Sequence, residues 1–541
     1  QSVHYASDYN LLAGSASIVS GSFLCWNCHA TAAPVNGAQG NRSGKDVQTE
    51  IAKANGHPVA TTDNLHATAA EAVATYNDGS FTGAKRHVAC VDCHDAHEAG
   101  KTLRTYPTTG SMTSTRNQVV AGGPLVGAPG VVYTAPTAYA TGTIAVATTG
   151  VVTGTGTTWT AAIAPVGSLL YVGGTASGGN SNRWYVITAF TSATSVTVTP
   201  APTTAIAAGT AYRIVPKSAA ANFSTNPVAL TAGSAEASLC FKCHSAFAFG
   251  AGMPLTGGTT YVTGTAAFTS GSAIVTGTGT AWTTNHVGWV IKNNANGVWY
   301  RVMAFVSATS LVLDRPAAAT VATSAYTLQQ GLLDMAEEFS PTNTSGHPVV
   351  TGLQNYTGNT APKALTVGQM RAPWNAAGNA TTGTGVGYQT MACTDCHSGD
   401  AASPAVQGPH GSATNFMLRG TNKTWPNLTL SSTNYGTSFC ANCHTWSTST
   451  PSNHPHGVGN HSSLRCYNCH VVVPHGGKLA RLMGDGDGAE MPSRYSYQGT
   501  KSNTQVTGFT KPSAGYSETN CGASGSCASK HPSTSGSLQN W

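Results

Sequence analysis

Residues 240–244 read CFKCH, and the same spacing returns as CWNCH at 25–29, CVDCH at 90–94, CTDCH at 393–397, CANCH at 440–444 and CYNCH at 466–470. Each copy sets two cysteines three positions apart with a histidine directly after the second. The triplets are Cys25, Cys28 and His29; Cys90, Cys93 and His94; Cys240, Cys243 and His244; Cys393, Cys396 and His397; Cys440, Cys443 and His444; Cys466, Cys469 and His470. Two thiols at this spacing reach the two vinyl groups on one edge of a porphyrin, and the next residue swings its imidazole under the iron. The pentapeptide is the attachment sequence of c-type haem. One copy alone also admits the lesser readings of a zinc knuckle or a redox dithiol. Six copies, each with its histidine, predict six haem c groups.

The motifs belong to a dihaem module that occurs three times: a CxxCH, a histidine beside a proline, a second CxxCH and a further histidine downstream. The first module carries GHPV with His57 and DAH with His97. The second carries GHPV with His347 and GPHG with His410. The third is compressed, with HPHG (His454, His456) and VPHGG (His475). Recurrence marks His57, His97, His347, His410, His454 and His475 as the distal iron ligands. His456 competes with His454, and His87 and His461, each just upstream of a motif, are reserves. His66, His286 and His531 read as exposed bystanders. Nine methionines show no recurring spacing from the motifs, so coordination by two histidines is expected at all six irons, giving low-spin centres of lower potential than histidine–methionine ones.

Of 14 cysteines, the motifs use all but Cys521 and Cys527. These lie in CGASGSC and predict a local disulfide pinning the tail, in keeping with the oxidising compartment where haem is attached. No run approaches the ~18 apolar residues of a membrane span. The start at Gln1, without a basic segment and following apolar core, predicts a mature, exported chain. Only 9% of residues are charged, against about 25% in ordinary soluble domains. The sequence is short of helix formers and large core side chains, so the haems are expected to supply the apolar core. The formal charge of +6 is offset by haem propionates, about −12 if all ionise. Scattered basic residues without interleaved aromatics give no case for nucleic-acid binding.

A second repeat is unrelated to the first. VTGTGTTWT at 152–160 returns as VTGTGTAWT at 275–283, and RWYVITAFTSATSVTV at 183–198 returns as VWYRVMAFVSATSLVL at 298–313. Short Val-, Ile-, Thr-, Tyr- and Trp-rich runs between Gly, Asn and Ser turns read as antiparallel strands. They predict two inserted small β-sandwich or barrel domains, at 140–216 and 260–329. The haem-binding parts are then 1–139 (haems 1 and 2), 217–259 (haem 3) and 330–541 (haems 4 to 6). The expected fold class is mostly coil with short helices wrapped around a chain of six c-type haems, with the two all-β inserts added; one helix is predicted over 331–339, GLLDMAEEF. The inserts read as a protective coat, with surface binding as the alternative.

A multihaem enzyme needs an iron with an open face, commonly advertised by a lysine in place of the motif histidine. All six copies keep the histidine, no nucleophile–base or paired-carboxylate pattern stands out, and an electron carrier rather than an enzyme is expected, with no catalytic residue assigned. GDGDGAE, with Asp485, Asp487 and Glu490, departs from EF-hand spacing and reads as a polar turn.

The paired motifs, GPHGSATNFMLRG at 408–420 and RCYNCHVVVPHGGKLARLM at 465–483 resemble the extracellular filament-forming multihaem c-type cytochromes of metal-reducing bacteria, the OmcS/OmcE-type cytochrome nanowires. The resemblance covers the haem-binding parts and not the β inserts. It implies stacked haems, head-to-tail homopolymers, an extracellular or cell-surface location, and long-range electron transfer to other cytochromes, metal oxides or electrodes. It also implies one haem ligand donated by a neighbouring subunit, for which His4 in the N-terminal arm is the candidate. The alternative is a discrete periplasmic or cell-surface carrier; a haem-bearing adhesin rests on the β inserts alone.

Overall fold

β-branched and aromatic side chains favour extended backbone, and they crowd residues 143–215 and 260–329. The computed structural model describes residues 29, 46–57, 88, 90–95, 98, 123–172, 184–249, 254–255, 258–357, 365–382, 384–400, 406, 408–425, 435–445, 470, 474–477, 482, 516–517 and 538–539. The first crowded region forms strands β1 (Thr143–Val146), β2 (Val151–Thr155), β3 (Leu169–Val172), β4 (Trp184–Ser192), β5 (Ser195–Thr199), β6 (Ile206–Thr210) and β7 (Tyr212–Val215). They pair antiparallel in the order β6-β1-β2-β5-β4-β3-β7. The second forms β8 (Thr260–Tyr261), β9 (Thr265–Phe268), β10 (Ile274–Thr278), β11 (Val290–Asn293), β12 (Trp299–Ser307), β13 (Ser310–Leu313), β14 (Val321–Ser324) and β15 (Tyr326–Gln329). Their order is β8-β15-β11-β12-β13-β10-β9-β14, the first sheet's path with one strand added.

Alternate residues of β1, β2 and β5 are buried, so one face of each strand enters the core. Ile144, Val152, Leu170, Tyr185, Val196 and Ile214 meet in a single cluster. Because first and last strands both contribute, the sheet curls around its own interior. Trp159 Nε1 donates to the Tyr212 hydroxyl at 2.8 Å, and that hydroxyl donates to the Thr141 carbonyl at 2.8 Å. The second unit repeats the device: Trp282 Nε1 to Tyr326 at 3.0 Å, and Tyr326 to Thr263 at 2.7 Å. The units pack on one another through Leu169, Trp184, Val186 and Val215 of the first and Met303, Ala304 and Val312 of the second.

This architecture corrects the expected fold class. The regular structure is mostly β, and the five helices among the described residues span only 4 to 8 residues. The shortage of helix formers had pointed to coil, whereas the alternating β-branched runs satisfy their backbone in ladders and close cores from their own side chains. Haem is not required to supply the interior of either sheet. The helix predicted over 331–339 is a single turn, Met335–Glu338, started by Asp334, whose carboxylate accepts from Ala336 N and Glu337 N. Residues just before it stay with the second sheet, where Arg301 Nη2 donates to the Leu332 carbonyl at 2.7 Å. Among the described residues no helix is long and apolar enough to cross a membrane.

Candidate cofactor-binding site

Four of the pentapeptides lie within the described residues with both cysteines, and each folds as one helical turn. The second is the helix Cys90–Cys93, the third ends the helix Ala237–His244, and the fourth and fifth start in 3-10 turns at Cys393–Asp395 and Phe439–Asn442. In three of them the histidine N–H closes the turn on the first cysteine carbonyl: His94 to Cys90 at 2.9 Å, His397 to Cys393 at 2.8 Å and His444 to Cys440 at 2.9 Å. Such a turn puts both thiols on one side with the imidazole beside them. His29 and His470 are described without their cysteines.

The histidines of these four motifs each stand beside a second imidazole. His94 and His410 have ring centres 6.0 Å apart, His244 and His57 6.1 Å, His397 and His475 6.1 Å, and His444 and His347 6.3 Å. A metal–imidazole bond of about 2.0 Å, plus roughly 1.1 Å from nitrogen to ring centre, places two axial histidines of one metal ion about 6.2 Å apart. The four pairs therefore have the separation of imidazoles on opposite faces of a single iron. Every pair crosses between modules: companions from the first module meet the second, and companions from the second meet the first and third. Spacing along the chain gives no hint of this exchange.

Two small ribbons make the exchange. Asn55 and Gly56 pair antiparallel with Ser412 and Gly411, and Ser345 and Gly346 with Gly477 and Gly476. Each ribbon joins a GHPV segment to a PHG segment and so carries two companion histidines, sent to two different motifs. His57 Nδ1–H donates to the Pro409 carbonyl at 2.8 Å, and His347 Nδ1–H donates to the Pro474 carbonyl. A carbonyl can only accept, so these bonds fix the tautomer and leave Nε2 as the bare ligand atom. Proximal rings are held alike: His94 Nδ1–H on Pro124 O at 2.8 Å and His397 Nδ1–H on Phe416 O at 2.6 Å. The glycine after each PHG histidine is needed for close approach. A Cβ on Gly411 would collide with the Glu50 carbonyl oxygen, and one on Gly476 with that of Glu338.

Motifs two to five border one apolar cavity of about 690 Å³, walled by Cys93 of the second, by the cysteines and histidines of the third to fifth, and by Phe241, Phe339, Trp374 and Met391. They adjoin in chain order: Cys93 feels Lys242 and Cys240, Cys240 is hydrogen-bonded with Cys393, and Cys396 neighbours Cys443. Burial lowers the pKa of His57, His347 and His397, and that of His475 still further. It takes His244 down to about 4, aided by the charges of His57 and His397. These imidazoles are neutral at pH 7, the form that binds a metal. Burial pushes the thiols of Cys93, Cys243 and Cys443 up to about 12. The eight described cysteines carry no disulfide.

The chemistry of the donors fits haem c. Apolar walls suit a flat tetrapyrrole, the cysteine pairs would tether it, and the paired imidazoles would supply the ligands of its iron. A structural zinc would need about four donors at a point; among the described residues no three His, Cys, Asp or Glu side chains converge so.

His286, read as an exposed bystander, is buried in the second β unit. Its Nδ1 accepts from Thr283 N at 3.0 Å and its ring lies against Trp289 and Tyr261, so it is a turn-closing residue remote from the cavity. Cys25, Cys28, Cys466, Cys469, His4, His87, His97, His454, His456, His461, Cys521 and Cys527 lie outside the described residues, as do Asp485, Asp487 and Glu490. What spacing missed is the support of the ribbons. Asp46 caps the helix Val47–Ile51 as Asp334 caps Met335–Glu338, and Glu50 and Glu338 buttress the glycines. The signal was present as an Asp-x-x-x-Glu ahead of each GHPV, at 46–59 and 334–349. No protein-family model, curated protein or solved structure matches the chain.

Proposed function

We propose that the chain is a hexahaem c-type cytochrome that carries electrons over long distances outside the cell. The observation that carries this reading is the set of four histidine pairs, each at the two-ligand separation, three of which line one apolar cavity bordered by successive motifs. A haem with two histidine ligands takes up and releases single electrons without opening a coordination position. The cysteine pairs tether it, the prolyl and other carbonyls lock the imidazoles in their ligand tautomer, and the apolar walls keep water from the centre. Since the cysteines of motifs two to five adjoin in chain order, transfer from site to site needs no motion of the chain. The resemblance to nanowire cytochromes extends the proposal to a head-to-tail filament, with His4 as the ligand donated between subunits.

Two measurements test it. Intact mass of the exported protein should give six covalently bound haems, with spectra of purely low-spin iron; absence of bound haem, or a high-spin fraction in an otherwise fully loaded chain, overturns the carrier reading. Cryo-electron microscopy of material sheared from cells should show filaments with haems crossing subunit boundaries. Uniform discrete particles would overturn the filament and leave a soluble carrier.

A further inference from the structure

Five of the six pentapeptides have Asn or Asp just before the second cysteine: Asn27, Asp92, Asp395, Asn442 and Asn468. CFKCH has Lys242 there. A lysine is almost never fully buried without a partner, yet Lys242 is 1% exposed. Its Nζ donates to the main-chain carbonyl of Asp92 at 2.6 Å and stands 4.0 Å from that residue's carboxylate. Asp92 holds the matching position of the preceding motif, CVDCH. The ammonium thus bridges the second and third motifs, and Asp92, Cys93, Lys242 and Cys243 all line the shared cavity.

We propose that Lys242 is a potential-setting residue, whose buried ammonium favours the reduced form of the haems at the second and third motifs and makes them the electron-rich step of the chain. The inference rests on the haem reading above. An arriving electron adds one negative charge, and a cation held in a medium of low dielectric stabilises it far more than a solvated one does. The Asp92 carboxylate opposes this. It is the weaker influence, since its side chain is 24% exposed against 1% for Lys242, and water screens it.

The test is potentiometric titration of the full-length, haem-loaded protein, followed by visible absorbance, on Lys242→Met, Lys242→Arg and Asp92→Asn. Lys242→Met should move two of the six reduction steps to lower potential. Lys242→Arg should restore them, and Asp92→Asn should move the same two steps upward. Shifts of opposite sign from the two partners exclude a merely structural lesion. With six haems retained, superimposable titrations, or shifts of one sign from both variants, overturn the proposal. Should Lys242→Met fail to load haem, the absence of an upward shift in Asp92→Asn overturns it alone. A wild-type protein without haem would instead overturn the function from which the inference starts.

Discussion

The two β units and the cysteine–histidine region build their interiors in opposite ways. In the first unit Ile144, Val152, Tyr185 and Ile187 are all at most 1% exposed, and each strand is held by a ladder. Among the described residues of the cysteine–histidine region, regular backbone consists of helices of 4 to 8 residues, short 3-10 turns and ribbons of two. There Phe241, Phe339, Trp374 and Met391 point at the common cavity rather than only at one another. One chain, poor in charge throughout, thus holds segments whose fold is completed by their own side chains and segments whose apolar side chains surround a cavity. On the haem reading proposed above, the group held in that cavity supplies most of the cohesion there.

The largest effect should follow from removing a tether. Cys240→Ala with Cys243→Ala deletes one of the six cysteine pairs that the haem reading makes tethers. Amide exchange should then lose protection at residues 237–249, 333–349 and 389–397, while β1–β7 and β9–β15 keep theirs. Equal loss in both regions would break the contrast. The converse variant comes next. Trp159, 2% exposed, anchors the first β core, and Trp159→Ala should cost that unit about 3–5 kcal/mol. Its unfolding transition should move down while the visible spectrum stays unchanged. A lowered haem content would show that the unit props up the cavity.

The sequence was legible wherever covalent chemistry dictates spacing. On the haem reading, tethering a porphyrin requires Cys-x-x-Cys-His whatever the fold around it, and GHPV at 56–59 and 346–349 stood out because the same ribbon is built twice. Pairing was not legible. His57 and the Pro409 that orients it are 352 positions apart, and no local period encodes which module supplies the imidazole that pairs with a motif histidine. The fold class was misjudged for a different reason: the runs holding Ile144, Val146, Val152, Val196 and Val198 were read as strands but counted as mere inserts, and coil wrapped on haem was given the greater weight, whereas the two sheets make most of the regular structure among the described residues. His286 was misread because a polar residue in a turn looks exposed until its ring is found between Trp289 and Tyr261.

The smallest predicted effect lies at the seam between the regions. Asp334 follows β15 and caps the turn leading to His347, and burial together with the Glu337 charge raises its pKa to about 7. In the unfolded chain it titrates near its ordinary 3.8. Between these values the folded protein holds a proton that the unfolded chain has released, so the associated stability is complete below pH ~4 and lost as pH rises to ~7. Asn caps a helix about as well as Asp, so Asp334→Asn removes the titration while preserving the cap. The difference in unfolding free energy between wild type and variant should therefore change by up to ~1.4 kcal/mol per pH unit in that window, with the wild type losing ground towards pH 7. Taking the difference cancels the other titrating groups, including the buried histidines, whose depressed pKa values work in the opposite direction. If the change is seen when the cavity region unfolds and not with the β units, Asp334 belongs to the haem-dependent side of the seam. A constant difference across the window would mean that its carboxyl is ionised in the folded protein, stabilised there by Arg301 and the two amide donors.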